Sequence, residues 1–494
     1  MKMTFSRTPL VCAIALMLSA CMVGPNYHRP TTAVPIKYKE LEGWTQASPG
    51  DTAPKTDWWT AFHDPLLDRL EPMVAVSNQT VQQDYANYEE ALAEVRVARS
   101  ALFPTIGVTT AATRQGTSNV LNTANAASGS SGFLSGGSRR VTNTGSLEGD
   151  VSWAPDIWGK VRRATEQNAA TAQSTQATLA YATLSEQVTL AVTVINLRIA
   201  DANIDLLQRT VDQYKQYLHV VEDQQVAGTT PPSDLITART QLESAQSSLI
   251  ALGVARAQYA HAIAVLVGRN PEALDIPHST ALPALPSIPV GVPSTLLQRR
   301  PDIAAAERSM AAENAAVGVA VAAYYPTISL SAVDGFAASP LDGLLQIGNY
   351  VWSIGASASQ TLFEGGYRRA TVAAAKAAYD SAVAFYRGTV LTAFENVEND
   401  LSGLRILADQ ATVLDTEVKD ATRGAQITLD EYQAGTVDYT TVAMAQTTLL
   451  SVEQTALSVQ ATRLVDAASL FGDLGGGWSA DELCDPRHAK CKGK

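Results

Sequence analysis

The chain has 494 residues and a formal net charge of −12, with 46% hydrophobic residues but only 6% aromatic ones. That length holds two or three ordinary domains, and long Ala-, Thr-, Gln- and Ser-filled stretches suit narrow helix-on-helix packing better than a thick globular core. The acidic balance argues against a nucleic-acid partner, which would favour a basic face.

Lys2 and Arg7 precede an apolar run from Leu10 to Ala20. This run is too short to span a bilayer as a mature helix and is suited to a signal peptide over residues 1–20. It ends Leu18-Ser19-Ala20-Cys21, which resembles the bacterial lipobox. Small residues let the peptidase close on the backbone, and Cys21 receives the lipid as S-diacylglycerol and N-palmitoyl groups. A plain secretory signal with an incidental cysteine is the alternative. Residues 21–65 then form the lipid anchor and an N-terminal equatorial segment. Cys484 and Cys491 remain as an even pair in an exocytoplasmic chain, compatible with a local disulfide. No later stretch approaches the roughly 18 consecutive apolar residues of a transmembrane helix, so a membrane crossing calls for strands.

The rest of the chain is duplicated. Leu102-Phe103-Pro104-Thr105-Ile106 returns as Tyr324-Tyr325-Pro326-Thr327-Ile328, Val161-Arg162-Arg163-Ala164-Thr165 as Tyr367-Arg368-Arg369-Ala370-Thr371, and Ala227-Gly228-Thr229 as Ala434-Gly435-Thr436. Three matches in the same order define two structural repeats, 66–268 and 299–471, with an equatorial linker at 269–298 and a C-terminal equatorial tail at 472–494. Each repeat begins with a leading helix, 66–102 or 301–323. A long helix follows, 160–227 or 367–434, the first free of both Gly and Pro. Its seam of Leu197, Ala200, Ile204, Leu207, Val211, Tyr214, Leu218 and Val221 steps by threes and fours, as in a coiled coil. About 68 residues make a rod of roughly 100 Å. Each rod turns at its glycine, and a return helix follows, 232–267 or 438–471.

Strands lie between the leading and long helices. Ile106, Val108, Thr110 and Ala112 alternate with Thr105, Gly107, Thr109 and Ala111, and Leu147, Gly149, Val151 and Trp153 with Ser146, Glu148, Asp150 and Ser152. The second copy repeats this with Ile328 and Leu330, and with Trp352, Ile354, Ala356 and Ala358. Period-two alternation with aromatic residues near the ends is the pattern of a membrane-barrel strand, though any one strand also fits a half-buried soluble sheet. Four strands cannot close a barrel, and open edges in lipid strand backbone groups. Sharing between chains follows, and three chains give twelve strands and a lumen.

The chain resembles the outer membrane factors, the TolC- and OprM-like exit ducts, particularly their NodT-like lipoprotein branch. The resemblance is carried by Cys21-Met22-Val23-Gly24-Pro25-Asn26-Tyr27, by Trp58-Trp59 with Phe62 and Asp64-Pro65-Leu66, by Trp153-Ala154-Pro155-Asp156-Ile157-Trp158-Gly159-Lys160-Val161-Arg162, and by Arg300-Pro301-Asp302-Ile303 with Glu307. It implies an α+β membrane protein, a homotrimer whose 12-strand β-barrel in outer-membrane lipid continues into a 12-helix periplasmic coiled-coil tunnel. The implied partners are a periplasmic adaptor and an inner-membrane pump, commonly of the resistance-nodulation-division type. Opening takes place at the periplasmic tip, around Gly228 and Gly435. Where TolC carries tip aspartates this chain has Thr441 and Met444, whereas Asp234 matches a tip aspartate and Asp438 is a second candidate. Helix capping is the competing role for both, since each lies at the first turn of a helix.

A type I secretion exit is a second reading within the same class. A trimeric coiled-coil stalk or adhesin would explain the helices but not the duplicated helix–hairpin–helix order. No metal-ligand spacing, nucleophile elbow or phosphate loop supports an enzyme, and no cofactor is expected beyond the lipid on Cys21.

Overall fold

A computed structural model describes residues 22–31, 35, 37–40, 57–117, 140–287 and 299–487; Cys21 and Cys491 lie outside this set. The elements run α1 (Pro65–Ser77), α2 (Gln79–Ser100), β1 (Thr105–Thr117), β2 (Arg140–Trp153), α3 (Lys160–Val226), α4 (Pro232–Leu266), α5 (Pro301–Ala322), β3 (Thr327–Ala338), β4 (Tyr350–Ser359), α6 (Tyr367–Gln433) and α7 (Tyr439–Asp473). The two long helices have the same length, 67 residues each. The repeated pentapeptide performs the same task in both: Thr165 Oγ1 bonds Val161 O, and Thr371 Oγ1 bonds Tyr367 O.

One leading helix departs from expectation. Residues 66–102 are not continuous, because Asn78 takes an extended backbone between α1 and α2. Its Nδ2 donates to Glu186 Oε2 and Leu266 O, while its Oδ1 accepts from the amides of Thr80 and Val81. A tertiary contact ends one helix, and the same side chain caps the next.

The chain divides into two compact units. The first comprises residues 1–27, 93–169 and 311–380 and holds the sheet. Its strands are antiparallel in the order β1-β2-β3-β4, with β1 and β4 each paired on one side only among the described residues. Ile106 faces Val151, Leu147 faces Phe336 and Ala332 faces Ile354, so one face is apolar. Ile106, Val108 and Ile354 are 78%, 77% and 80% exposed, so the unit's own atoms leave that face uncovered. Asp334 also lies on it, accepting a hydrogen bond from the Tyr350 hydroxyl.

The second unit comprises residues 28–92, 170–310 and 381–494. Its core gathers Trp58, Phe62, Leu67 and Leu70 with Leu190, Ile195 and Leu197 of α3, Leu401 of α6 and Leu464 of α7. Trp58 stacks on Phe471 at 5.4 Å. The seam read from α3 is buried or half-buried throughout. Asp64 caps α1 through Oδ1, and its Oδ2 accepts from Arg198 Nε at 3.0 Å, a buried pair.

Helix α4 has an 18-residue window of mean hydropathy 1.5 and so meets the length and composition of a membrane span. No run of consecutive apolar residues announces it. It is one arm of a hairpin on α3, joined there by Arg256 Nε to the buried Asp201 at 2.6 Å, and only 11% of its apolar window is buried within the chain.

Candidate functional site: the hairpin tips and the clamped segment

Both hairpins turn through the same local chemistry. Gly228 and Gly435 adopt φ of 71° and 76°, the left-handed region that glycine enters without a Cβ penalty. In the first turn the Thr229 amide bonds Gln224 O and the Gly228 amide bonds Gln225 O; in the second, Thr436 bonds Glu431 O and Gly435 bonds Tyr432 O. This is the Schellman pattern, which satisfies the orphaned carbonyls at a helix end. The threonine hydroxyls repeat the pairing, each to the carbonyl that its own amide uses. The repeated Ala-Gly-Thr is therefore a helix stop.

The two aspartates differ. Asp438 is the N-cap of α7: its Oδ1 accepts from the Thr441 amide at 3.0 Å and the Thr441 hydroxyl at 2.7 Å. Those hydrogen bonds, the hydroxyl's first, hold its carboxyl below the ordinary range. Thr441 is thus spent on a cap, and Met444 is 60% exposed. Asp234, the match to a tip aspartate, is buried, 5% exposed, and accepts from Thr230 Oγ1 at 3.0 Å and from Ser233 Oγ at 3.4 Å.

What joins the hairpins is a set of tyrosines and glutamines that the sequence did not single out. Tyr432 and Gln224 share a hydrogen bond, Tyr439 OH donates to Gln241 Oε1 at 3.2 Å, Gln446 Nε2 donates to Tyr217 OH at 3.3 Å, and Gln241 Nε2 donates to Ala443 O at 3.3 Å. Tyr432 and Tyr439 meet edge to face at 5.6 Å over Val221, Ala238 and Val442. Burial raises the phenol pKa values of Tyr214, Tyr217, Tyr432 and Tyr439, so all four keep their protons. Tyr432 and Tyr439 flank Gly435 in sequence, a signal that was available. The glutamines carried none.

Residues 22–26 are clamped within the sheet unit. Arg163, 2% exposed, spends every guanidinium nitrogen there: Nε on Val23 O, Nη2 on Gly24 O and Asn26 Oδ1, and Nη1 on Glu166. Asn314 Nδ2 donates to Pro25 O, and the Val23 amide donates to Trp158 O. A Cβ on Gly24 would come within 2.5 Å of Gly318 Cα, and one on Gly159 within 2.9 Å of Met22, so both contacts require glycine. In the helical unit Gln173 and Gln176 of α3 hold the backbone of Cys484 and Glu482. Cys484 is disulfide-bonded, to a partner outside the described residues.

Two helix hairpins turning at the same motif and a four-stranded sheet with one bare apolar face are the parts of an outer-membrane channel. The sequence profile described as outer membrane efflux protein matches residues 72–269 and 292–476. The chain belongs to this family. It is 28% identical over 479 residues to the probable efflux pump outer membrane protein SepC of Pseudomonas putida, covering 95% of this chain and 96% of that protein. Among solved structures it is similar to the outer-membrane channel OprN, with a TM-score of 0.83 and 28% identity over 93% of this chain and all of that one. The Campylobacter jejuni outer membrane channel CmeC shares the fold at a TM-score of 0.85 and 22% identity, over 94% of this chain and 96% of that one. This outer membrane efflux protein therefore has the TolC-like fold with four strands per chain, resides in the outer membrane, and is the outer-membrane component of an efflux pump.

Proposed function

We propose that three copies of this efflux protein close a twelve-stranded barrel and conduct substrates passively, with no chemistry of their own. The reading rests chiefly on the open sheet, whose apolar face and β1 and β4 edges, unpaired among the described residues, are together untenable in lipid unless neighbouring copies complete it. The apolar surface that α4 leaves uncovered offers the same copies a helical contact. A periplasmic adaptor and a resistance-nodulation-division pump deliver the cargo, and the pump selects it. The gate is the pair of hairpin tips within each chain, held shut mainly by the tyrosine–glutamine contacts and packing, with Asp438 as a helix cap. Cys21 carries the lipid, a reading supported by the lipobox that ends there and by the contact of the next residue, Met22, with Gly159. Cys491 is the partner assigned to Cys484. The deciding measurement is the mass of the detergent-solubilised particle, expected to be that of a trimer; a monodisperse monomer refutes the shared barrel.

A further inference from the structure

We propose that the polar face of the β1–β4 sheet makes this duct cation-selective, and that Glu148 and Asp150 set the preference. The inference rests on the shared-barrel reading, which turns the apolar face to lipid and this face to the lumen. Over residues 105–115 of β1, 142–152 of β2, 327–337 of β3 and 351–359 of β4, the polar face consists of Thr, Ser, Gly, Ala, Val and Gln apart from these two carboxylates. Over that span no described basic side chain on the same face offsets them.

Each carboxylate faces a glycine on a strand beside β2. Gly107 stands opposite Asp150, and a Cβ there would fall 2.9 Å from both carboxylate oxygens. Gly335 stands opposite Glu148, and a Cβ there would meet Glu148 Cα at 2.6 Å. Thr109 Oγ1 donates to Asp150 Oδ1 at 3.1 Å, fixing that carboxylate against the wall. Neither carboxylate has an ion-pair partner among the described residues. Their charge therefore acts on the solution in the lumen.

Two carboxylates per chain give six in the trimer, in two rings about 7 Å apart along the strand. Twelve strands spaced about 4.8 Å apart and tilted about 40° make a wall of radius about 12 Å. That radius is close to the Debye length of about 10 Å at 0.1 M salt and about four times the 3 Å length at 1 M. Six screened charges at that distance in water give an axial potential of about one kT at 0.1 M, or a cation-over-anion preference of about sevenfold, which nearly vanishes at 1 M.

The experiment is the reversal potential of the purified protein in planar bilayers across a KCl gradient centred near 0.1 M, repeated near 1 M. The parent should prefer K⁺ by about sevenfold at the lower salt and show almost no preference at the higher. Glu148→Gln and Asp150→Asn singly should lower the preference to about threefold, and the double variant to near unity, with conductance at 1 M unchanged. A parent without selectivity at 0.1 M, a parent equally selective at both salts, or a double variant as selective as the parent would each overturn the assignment. The salt series needs no variant, so a misfolded double variant leaves the test intact. Particle mass separates the failures: a trimer without selectivity refutes this inference alone, whereas a monomer refutes the shared barrel beneath it.

Discussion

Replacing Tyr432 and Tyr439 together by phenylalanine isolates the contacts that tie the hairpin of α3 and α4 to that of α6 and α7. The rings, their edge-to-face geometry at 5.6 Å and their burial are retained. Lost are the hydrogen bonds to Gln224 and Gln241, while the second bond of Gln241, to Ala443 O, remains. Each lost bond is worth about 1 kcal/mol net, so a chain loses about 2 kcal/mol of hairpin-to-hairpin attachment. If three chains open in concert, the closed state loses about 6 kcal/mol, which moves the closed-to-open ratio by roughly 10⁴-fold. Single-channel recording in planar bilayers reads this as a rise in open probability. Asp438→Asn, which alters the cap without touching the inter-hairpin contacts, should leave open probability close to that of the parent. Should the double phenylalanine variant stay as closed as the parent, opening does not part the two hairpins. If Asp438→Asn opens the channel on its own, charge rather than contact holds the gate.

Three further outcomes are expected. Cys21→Ser should abolish incorporation of labelled palmitate, and a variant that still labels would remove Cys21 as the anchor. Glu71 is fully buried with neither carboxylate oxygen hydrogen-bonded among the described residues, and burial holds its pKa well above the ordinary range. The folded state thus keeps a proton that the unfolded chain releases above its ordinary carboxyl pKa, so the contribution of this group to stability is complete at acid pH and declines as pH rises. Glu71→Met should raise stability at neutral pH by about 1–3 kcal/mol and remove that decline, measured as unfolding midpoints at pH 5 and pH 8; identical pH slopes would contradict it. Arg163→Ala should free residues 22–26, seen as faster proteolysis or hydrogen exchange confined to that segment, and unchanged protection there would show that the remaining contacts hold it.

The architecture was legible where local chemistry decides it. An uninterrupted run without Gly or Pro placed α3 within a residue of its observed end, and the repeated Ala-Gly-Thr located both hairpin turns because a left-handed glycine is a local requirement. Alternation placed the strands but stopped short, since β1 continues to Thr117 and β3 to Ala338 through residues of mixed polarity. The misses were all tertiary. Asn78 breaks a helix because Glu186 and the end of α4 lie beside it, and Asp234 is buried because the hairpins close over it. The bond between Tyr432 and Gln224 joins residues 208 positions apart, a pairing that periodicity does not encode.

The clamp on residues 22–26 also bears on the order in which the chain is made. This segment leaves the ribosome early, yet part of its binding site is Asn314, 289 residues away from Pro25, together with Gly318. Residues 22–26 therefore cannot complete their docking until the second repeat has been made. Arg163 and its acceptors all precede the second repeat, but Gly318, which packs against the Arg163 side chain, does not. The sheet unit thus cannot finish folding as it emerges, and during that interval a tether at Cys21 would keep the unfinished chain at the membrane surface.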